Sequence, residues 1–193
     1  MNMAGIDPKQ QAILEAAWAA FSTYGFRKTS MDDIAKGAGM SRPALYLHFK
    51  NKEAIFRALV AAYYGNAAEN VRAGLASEGT LSDRLLAAFR GQSGEAIESM
   101  MASPHGMELF EVTKNVAGEE IEAGEAALRG LYADWLQQQA KAGQAALNGD
   151  AAVIAQTICA SLKGIKQTAA DFSAYQAGVR QLAALFGAGL TPR

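Results

Sequence analysis

The sequence predicts an all-α protein, with a small N-terminal domain of three helices over residues 1–51 and a larger helical domain over residues 52–193. Three observations carry this. Apolar residues recur at three- and four-residue steps in one segment after another: Ile13, Leu14, Ala17, Trp18 and Phe21 near the start, Val153, Ile154, Ile158, Leu162 and Ile165 near the end. Helix-capping residues, Asp7, Ser30, Ser41, Asn51 and Asp150, stand ahead of such segments. Alanine and glycine are abundant, which suits closely packed helices.

Asp7 caps the first helix and Pro8 takes its first helical position, where the missing N–H is no loss. The helix runs to Tyr24. Gly25 ends it, and Phe26 is placed to fold back on its last turn. Ser30 with Asp33 three residues on forms a capping-box pattern ahead of Ile34 and Ala35, so a second helix starts there. Gly37 and Gly39 are expected to supply positive φ angles for a tight reversal. Ser41 then caps a third helix, with Pro43 in its first turn.

On this third helix Leu45 and Phe49 lie four residues apart and face inward. Arg42, Pro43, Ala44, Tyr46, Leu47 and His48 then project outward, as the leading residues of a recognition helix do in the major groove of double-stranded DNA. Arg42 suits a bidentate contact to guanine O6 and N7, and Ala44 and Leu47 suit a thymine methyl. Ser30 and its N–H at a helix start suit a phosphate. Residues 1–57 hold eight Lys and Arg against five acids, so the head carries +3 and the remainder −4. That is a modest asymmetry in favour of phosphate contact at one end.

The run from Thr29 resembles the N-terminal signature of the TetR (tetracycline repressor) and AcrR family of bacterial transcription regulators. Thr29-Ser30, Ile34-Ala35, Ala38-Gly39, Ser41, Leu45-Tyr46, Phe49, Lys50 and Lys52-Glu53 stand at the family's positions. The resemblance covers roughly residues 9 to 57. Pro43 departs from the small residue most members carry. The resemblance implies an N-terminal helix-turn-helix DNA-binding domain joined to a helical ligand-binding and dimerisation domain. It also implies phosphate contacts by Tyr46, His48 and Lys52. The expected protein is a cytoplasmic repressor, a homodimer released from a palindromic operator by a small-molecule effector. The competing expectation is a ligand-sensing or protein-interaction module that keeps the head without sequence-specific DNA binding.

Beyond the head, Asn51 is expected to cap a helix reaching about Leu75. A pattern from Thr80 to Met101 is interrupted by Gly91 and Gly94, which predicts a kink or break. Ser103-Pro104-His105-Gly106 punctuates the chain before helices over 107–116 and 119–142, and Asp150 and Asp171 precede the last two. The effector is expected against Met100, Met101, His105, Met107, Phe110, Tyr132 and Trp135, which are large or amphipathic groups. A second copy is expected against Ile158, Leu162, Ile165, Tyr175, Val179, Leu182 and Phe186, because two helices this apolar need cover.

An enzyme is disfavoured. The two histidines are far apart, and there is no G-x-S-x-G, phosphate-binding loop or H-E-x-x-H pattern. A single cysteine, Cys159, excludes a disulfide framework and a thiolate zinc cluster. No cofactor or metal is expected, and no apolar run reaches membrane-spanning length.

Overall fold

The computed structural model describes residues 7–192, without the side chains of residues 94–96, 107, 110 and 111. All regular structure among the described residues is helical: α1 (Pro8–Tyr24), α2 (Met31–Gly37), α3 (Arg42–His48), α4 (Lys52–Leu75), α5 (Leu81–Ala102), α6 (Gly106–Val116), α7 (Gly118–Lys141), α8 (Ala151–Thr168) and α9 (Phe172–Leu190). The helices form two compact units. One comprises the residues up to Asn66 together with Glu95–Ala123; the other comprises Ala67–Gly94 and residues 124 to the C-terminus. The head expected to end at Asn51 therefore shares a compact unit with the first part of α4 and with α6, from the middle of the chain.

The reason lies in the first unit's core. Ile13, Leu14, Ala17 and Phe21 of α1, Ile34 of α2, Leu45 of α3 and Ile55, Phe56 and Leu59 of α4 are buried in one cluster, and Leu109 and Ala117 complete it from either end of α6. The rings of Phe21, Phe26 and Phe56 meet pairwise at 5.2–5.6 Å, two of the pairs edge-on, the geometry that aromatic quadrupoles favour. Two polar contacts tie the start of α6 to the end of α1 and the corner after it, and a third, within α6, steadies the carboxylate that makes one of them. Ser103 Oγ donates to the Ser22 carbonyl at 2.8 Å. The Arg27 N–H donates to Glu108 Oε1 at 3.2 Å, and His105 Nδ1 lies 3.3 Å from Glu108 Oε2. Gly25, at φ +80°, leaves the space that the Glu108 carboxylate occupies.

In the second unit glycine permits close approach where a break was expected. α5 is continuous through Gly91 and Gly94. A Cβ on Gly91 would lie 2.9 Å from the Asn70 carbonyl oxygen of α4, so this glycine lets two backbones meet without ending a helix. Gly187 serves α9 in the same way, against the Ser82 backbone, and α9 runs on to Leu190. The Leu75 carbonyl, left without an intrahelical partner at the end of α4, accepts from Arg84 Nε at 2.8 Å and from the Trp135 indole N–H at 3.1 Å. Arg84 lies over the Trp135 ring and donates to Gln139 Oε1 at 2.9 Å.

Burial, with Lys163 nearby, lowers the Lys166 ammonium to about 8, although Glu125 pulls the other way. Between about pH 8 and 10 the unfolded chain still holds a proton that the native chain has released, so stability rises with pH across that window. Urea midpoints measured at intervals from pH 7.5 to 9.5 should climb, and the climb should flatten in Lys166→Met.

Candidate nucleic-acid interface

Two caps and one turn set the direction of α3. At the start of α2 the capping box is complete: Ser30 Oγ accepts from the Asp33 N–H at 3.2 Å, and Asp33 Oδ2 accepts from the Ser30 N–H at 2.9 Å. The Ser30 hydroxyl also donates to Asp33 Oδ2, at 2.6 Å. These bonds hold the Asp33 carboxyl below its ordinary range, the Ser30 hydroxyl contributing most. Gly39 alone makes the reversal, at φ +65°. Gly37, expected to share that task, ends α2 with negative φ and leaves room for Ala16, whose Cβ would lie 3.1 Å from a side chain placed there. Ser41 then accepts from the Ala44 N–H at 3.3 Å and starts α3.

With Leu45 buried at the centre of α3, the other face is presented to solvent. Arg42 and Pro43 are exposed, Tyr46 is 43% exposed and Leu47 86%, while Ala44 and His48 are half-buried at its margins. A leucine this bare on a seven-residue helix has no packing role, but its methyls suit an apolar contact to a base edge. The Arg42 guanidinium is oriented in advance. Its Nη1 lies 3.3 Å from Asp32 Oδ2, its Nη2 donates to the Tyr46 hydroxyl at 3.4 Å, and its carbon sits 5.6 Å from the Tyr46 ring centre.

Two of the expected phosphate contacts are employed elsewhere. Lys52 Nζ donates to the carbonyls of Phe26, Arg27 and Thr29 at 2.8, 3.1 and 3.1 Å and lies 4.7 Å from the Phe26 ring centre. All three N–H groups of an ammonium are thereby spent on the α1–α2 corner, which is a clamp and not a free charge. Ser30 likewise directs both its N–H and its hydroxyl to Asp33.

The residues expected against an effector divide between the two units. Met100, Met101 and His105 belong to the first unit and Tyr132 and Trp135 to the second; the side chains of Met107 and Phe110 lie outside those described. Tyr132 is buried, donates to Gln92 Oε1 at 2.9 Å and meets the Phe89 ring edge-on. Nearby chemistry went unread in the sequence: Ser93 is buried and hydrogen-bonds the Tyr175 hydroxyl. Its signal was a serine one turn after Phe89 and one turn before Ile97, on the apolar face of α5. Burial pushes the Tyr175 hydroxyl up to about 12 and the Cys159 thiol up to about 11, so neither is ionised near neutrality.

The row expected to meet a second copy divides in two. Ile158, Leu162, Tyr175 and Val179 are buried within the chain's own fold, and Ile165, Leu182 and Phe186 are half-buried. The buried part of each stripe serves the chain's own core, and Gly178 admits Ile165 where α8 and α9 touch. The large apolar groups left bare on α8 and α9 are Val153 and Leu185, 64% and 62% exposed. Ile154, Leu185, Phe186 and Leu190 line an open groove of about 270 Å³.

Comparison with known proteins agrees with this geometry. Residues 13–59 match a family described as bacterial regulatory proteins, tetR family. Over 54 residues the chain is 44% identical to the HTH-type transcriptional regulator EthR of Mycolicibacterium smegmatis, covering 28% of this chain and 25% of that one. The chain thus matches about a quarter of that relative's length. Among solved structures, the reduced form of NemR from E. coli superposes with a TM-score of 0.75 at 18% identity, over 96% of this chain and 100% of that one. SmeT, repressor of the Stenotrophomonas maltophilia multidrug efflux pump SmeDEF, superposes with a TM-score of 0.71 at 19% identity, over 95% and 90%. SmeT has also been solved as a complex with triclosan. At these identities the likeness is one of fold. Among the described residues no group of three or more His, Cys, Asp or Glu is placed to hold a metal, and no helix is long and apolar enough to cross a membrane.

Proposed function

We propose, because this chain belongs to the TetR family of bacterial regulatory proteins through residues 13–59, that it is a cytoplasmic transcriptional repressor that reads operator DNA with α3. The observation that carries the reading is the pairing of a buried Leu45 with an outward face of Arg42, Pro43, Tyr46 and Leu47. Arg42 takes a guanine, Leu47 and Ala44 take thymine methyls, and Tyr46 and His48 reach the flanking phosphates. Two copies pair through the outer faces of α8 and α9, around Val153 and Leu185, so the operator is a pseudo-palindrome with half-sites about one helical turn or more apart. A small apolar or aromatic effector releases the DNA, and a neighbour of the same fold solved with triclosan supports that class. Tyr132 with Gln92, and Ser93 with Tyr175, are the polar groups of the second unit that such a molecule would exploit.

Selection of bound duplexes from a random pool should recover one palindrome. Binding without preference would instead favour a module that keeps the head as a scaffold. On the recovered site, Arg42→Ala should relax discrimination at one symmetric base position, on the order of ten- to a hundredfold. An unchanged site preference would remove Arg42 from base readout.

A further inference from the structure

Asp32 is the acidic residue in contact with the reading face. It stands in the first turn of α2, is exposed, and holds Arg42 Nη1 at 3.3 Å. A carboxylate facing a polyanion weakens binding to every duplex, so a surface built only for affinity would lack one here. Its partner decides what it does. With Asp32 on one side and the Tyr46 hydroxyl and ring on the other, the Arg42 guanidinium is spanned by two groups of the protein before DNA arrives.

We infer that Asp32 is a specificity-determining residue, holding Arg42 back from indiscriminate phosphate contact and yielding it to a guanine edge. This rests on the reading of α3 as the recognition helix. An exposed ion pair is weak, comparable to one phosphate contact, so a passing phosphate gains little by taking Arg42 from Asp32. A guanine offers O6 and N7 together in the planar geometry the guanidinium matches, a stronger pairing that displaces the carboxylate. Asp32 therefore penalises random DNA more than the operator. Asp32 touches no base; it acts through Arg42, as a positioning residue.

The experiment measures affinity for the selected palindrome and for a random-sequence duplex of equal length, in the full chain and in Asp32→Asn, and again with Arg42→Ala alone and with Asp32→Asn added to it. Thermal melts verify that each variant is folded, and the exposure of Asp32 leads us to expect that they are. Asp32→Asn should tighten binding to random duplex and narrow the ratio of the two affinities by roughly three- to fivefold, the size of one exposed ion pair. In the Arg42→Ala background the same change should move both affinities together and leave the ratio where it was. An unchanged ratio in the native background, or an equal change in both backgrounds, overturns the role of Asp32. If the native chain itself prefers no duplex, the recognition-helix reading fails and the inference goes with it.

Discussion

Leu45→Ala should unfold α3 while Leu47→Ala, two residues away, should leave it standing. Leu45 is buried in the first unit's core, and truncating such a leucine removes its transfer energy and leaves a cavity, about 2–4 kcal/mol in all. That is a large share of a domain's total stability of about 5–15 kcal/mol, and α3, only seven residues long, has no independent stability to fall back on. Urea melts should show the destabilisation, and titration of the selected operator should show specific binding lost. Leu47→Ala deletes exposed surface, so its melt should match the parent within about 0.5 kcal/mol while operator affinity falls. The reverse pattern, with Leu47 mattering for stability and Leu45 only for DNA, would mean that α3 presents its other face.

Lys52→Met should weaken DNA binding without changing how steeply binding falls with salt. The substitution keeps most of the aliphatic stem and leaves the carbonyls of Phe26, Arg27 and Thr29 without their charged donor. Bonds from an ammonium are among the stronger ones, and with water replacing part of the loss the net cost is about 1–3 kcal/mol of stability. The corner between α1 and α2 loosens, and with it the seat of Thr29, whose hydroxyl donates to the Gly25 carbonyl at 2.8 Å. DNA affinity drops because the free head is less well ordered. Had Lys52 neutralised a phosphate, the slope of log affinity against log salt would become shallower by about one. A slope that shallows with no change in the melt would assign Lys52 to the DNA and not to the corner.

These outcomes separate what local chemistry dictates from what packing imposes. The caps at Asp7, Ser30, Ser41, Asn51 and Asp150 each act within three residues of themselves, and each is found where it was expected. The spacing of Leu45 and Phe49 likewise sets which side of α3 turns inward, because a helix has one period. Glycine is less legible. Gly39 and Gly37 look alike in sequence, yet one makes a turn and the other makes room for Ala16. Gly91 and Gly187 look like helix breakers but are contact points, since what a missing side chain is for depends on the neighbour across from it.

The chain by itself determined an all-helical architecture, the start of each capped helix and the outward face of α3, all of which follow from periodicity and hydrogen bonds between near neighbours. Only the tertiary structure decided that α6 completes the core beneath α1, α3 and α4, that Lys52 closes a corner, that Asp32 reaches Arg42, and which residues in the apolar rows of α8 and α9 are buried in the chain's own core. Those are pairings between residues ten to about ninety positions apart. A one-dimensional pattern shows that a side chain wants a partner; which partner it finds is settled by the packing of the whole chain.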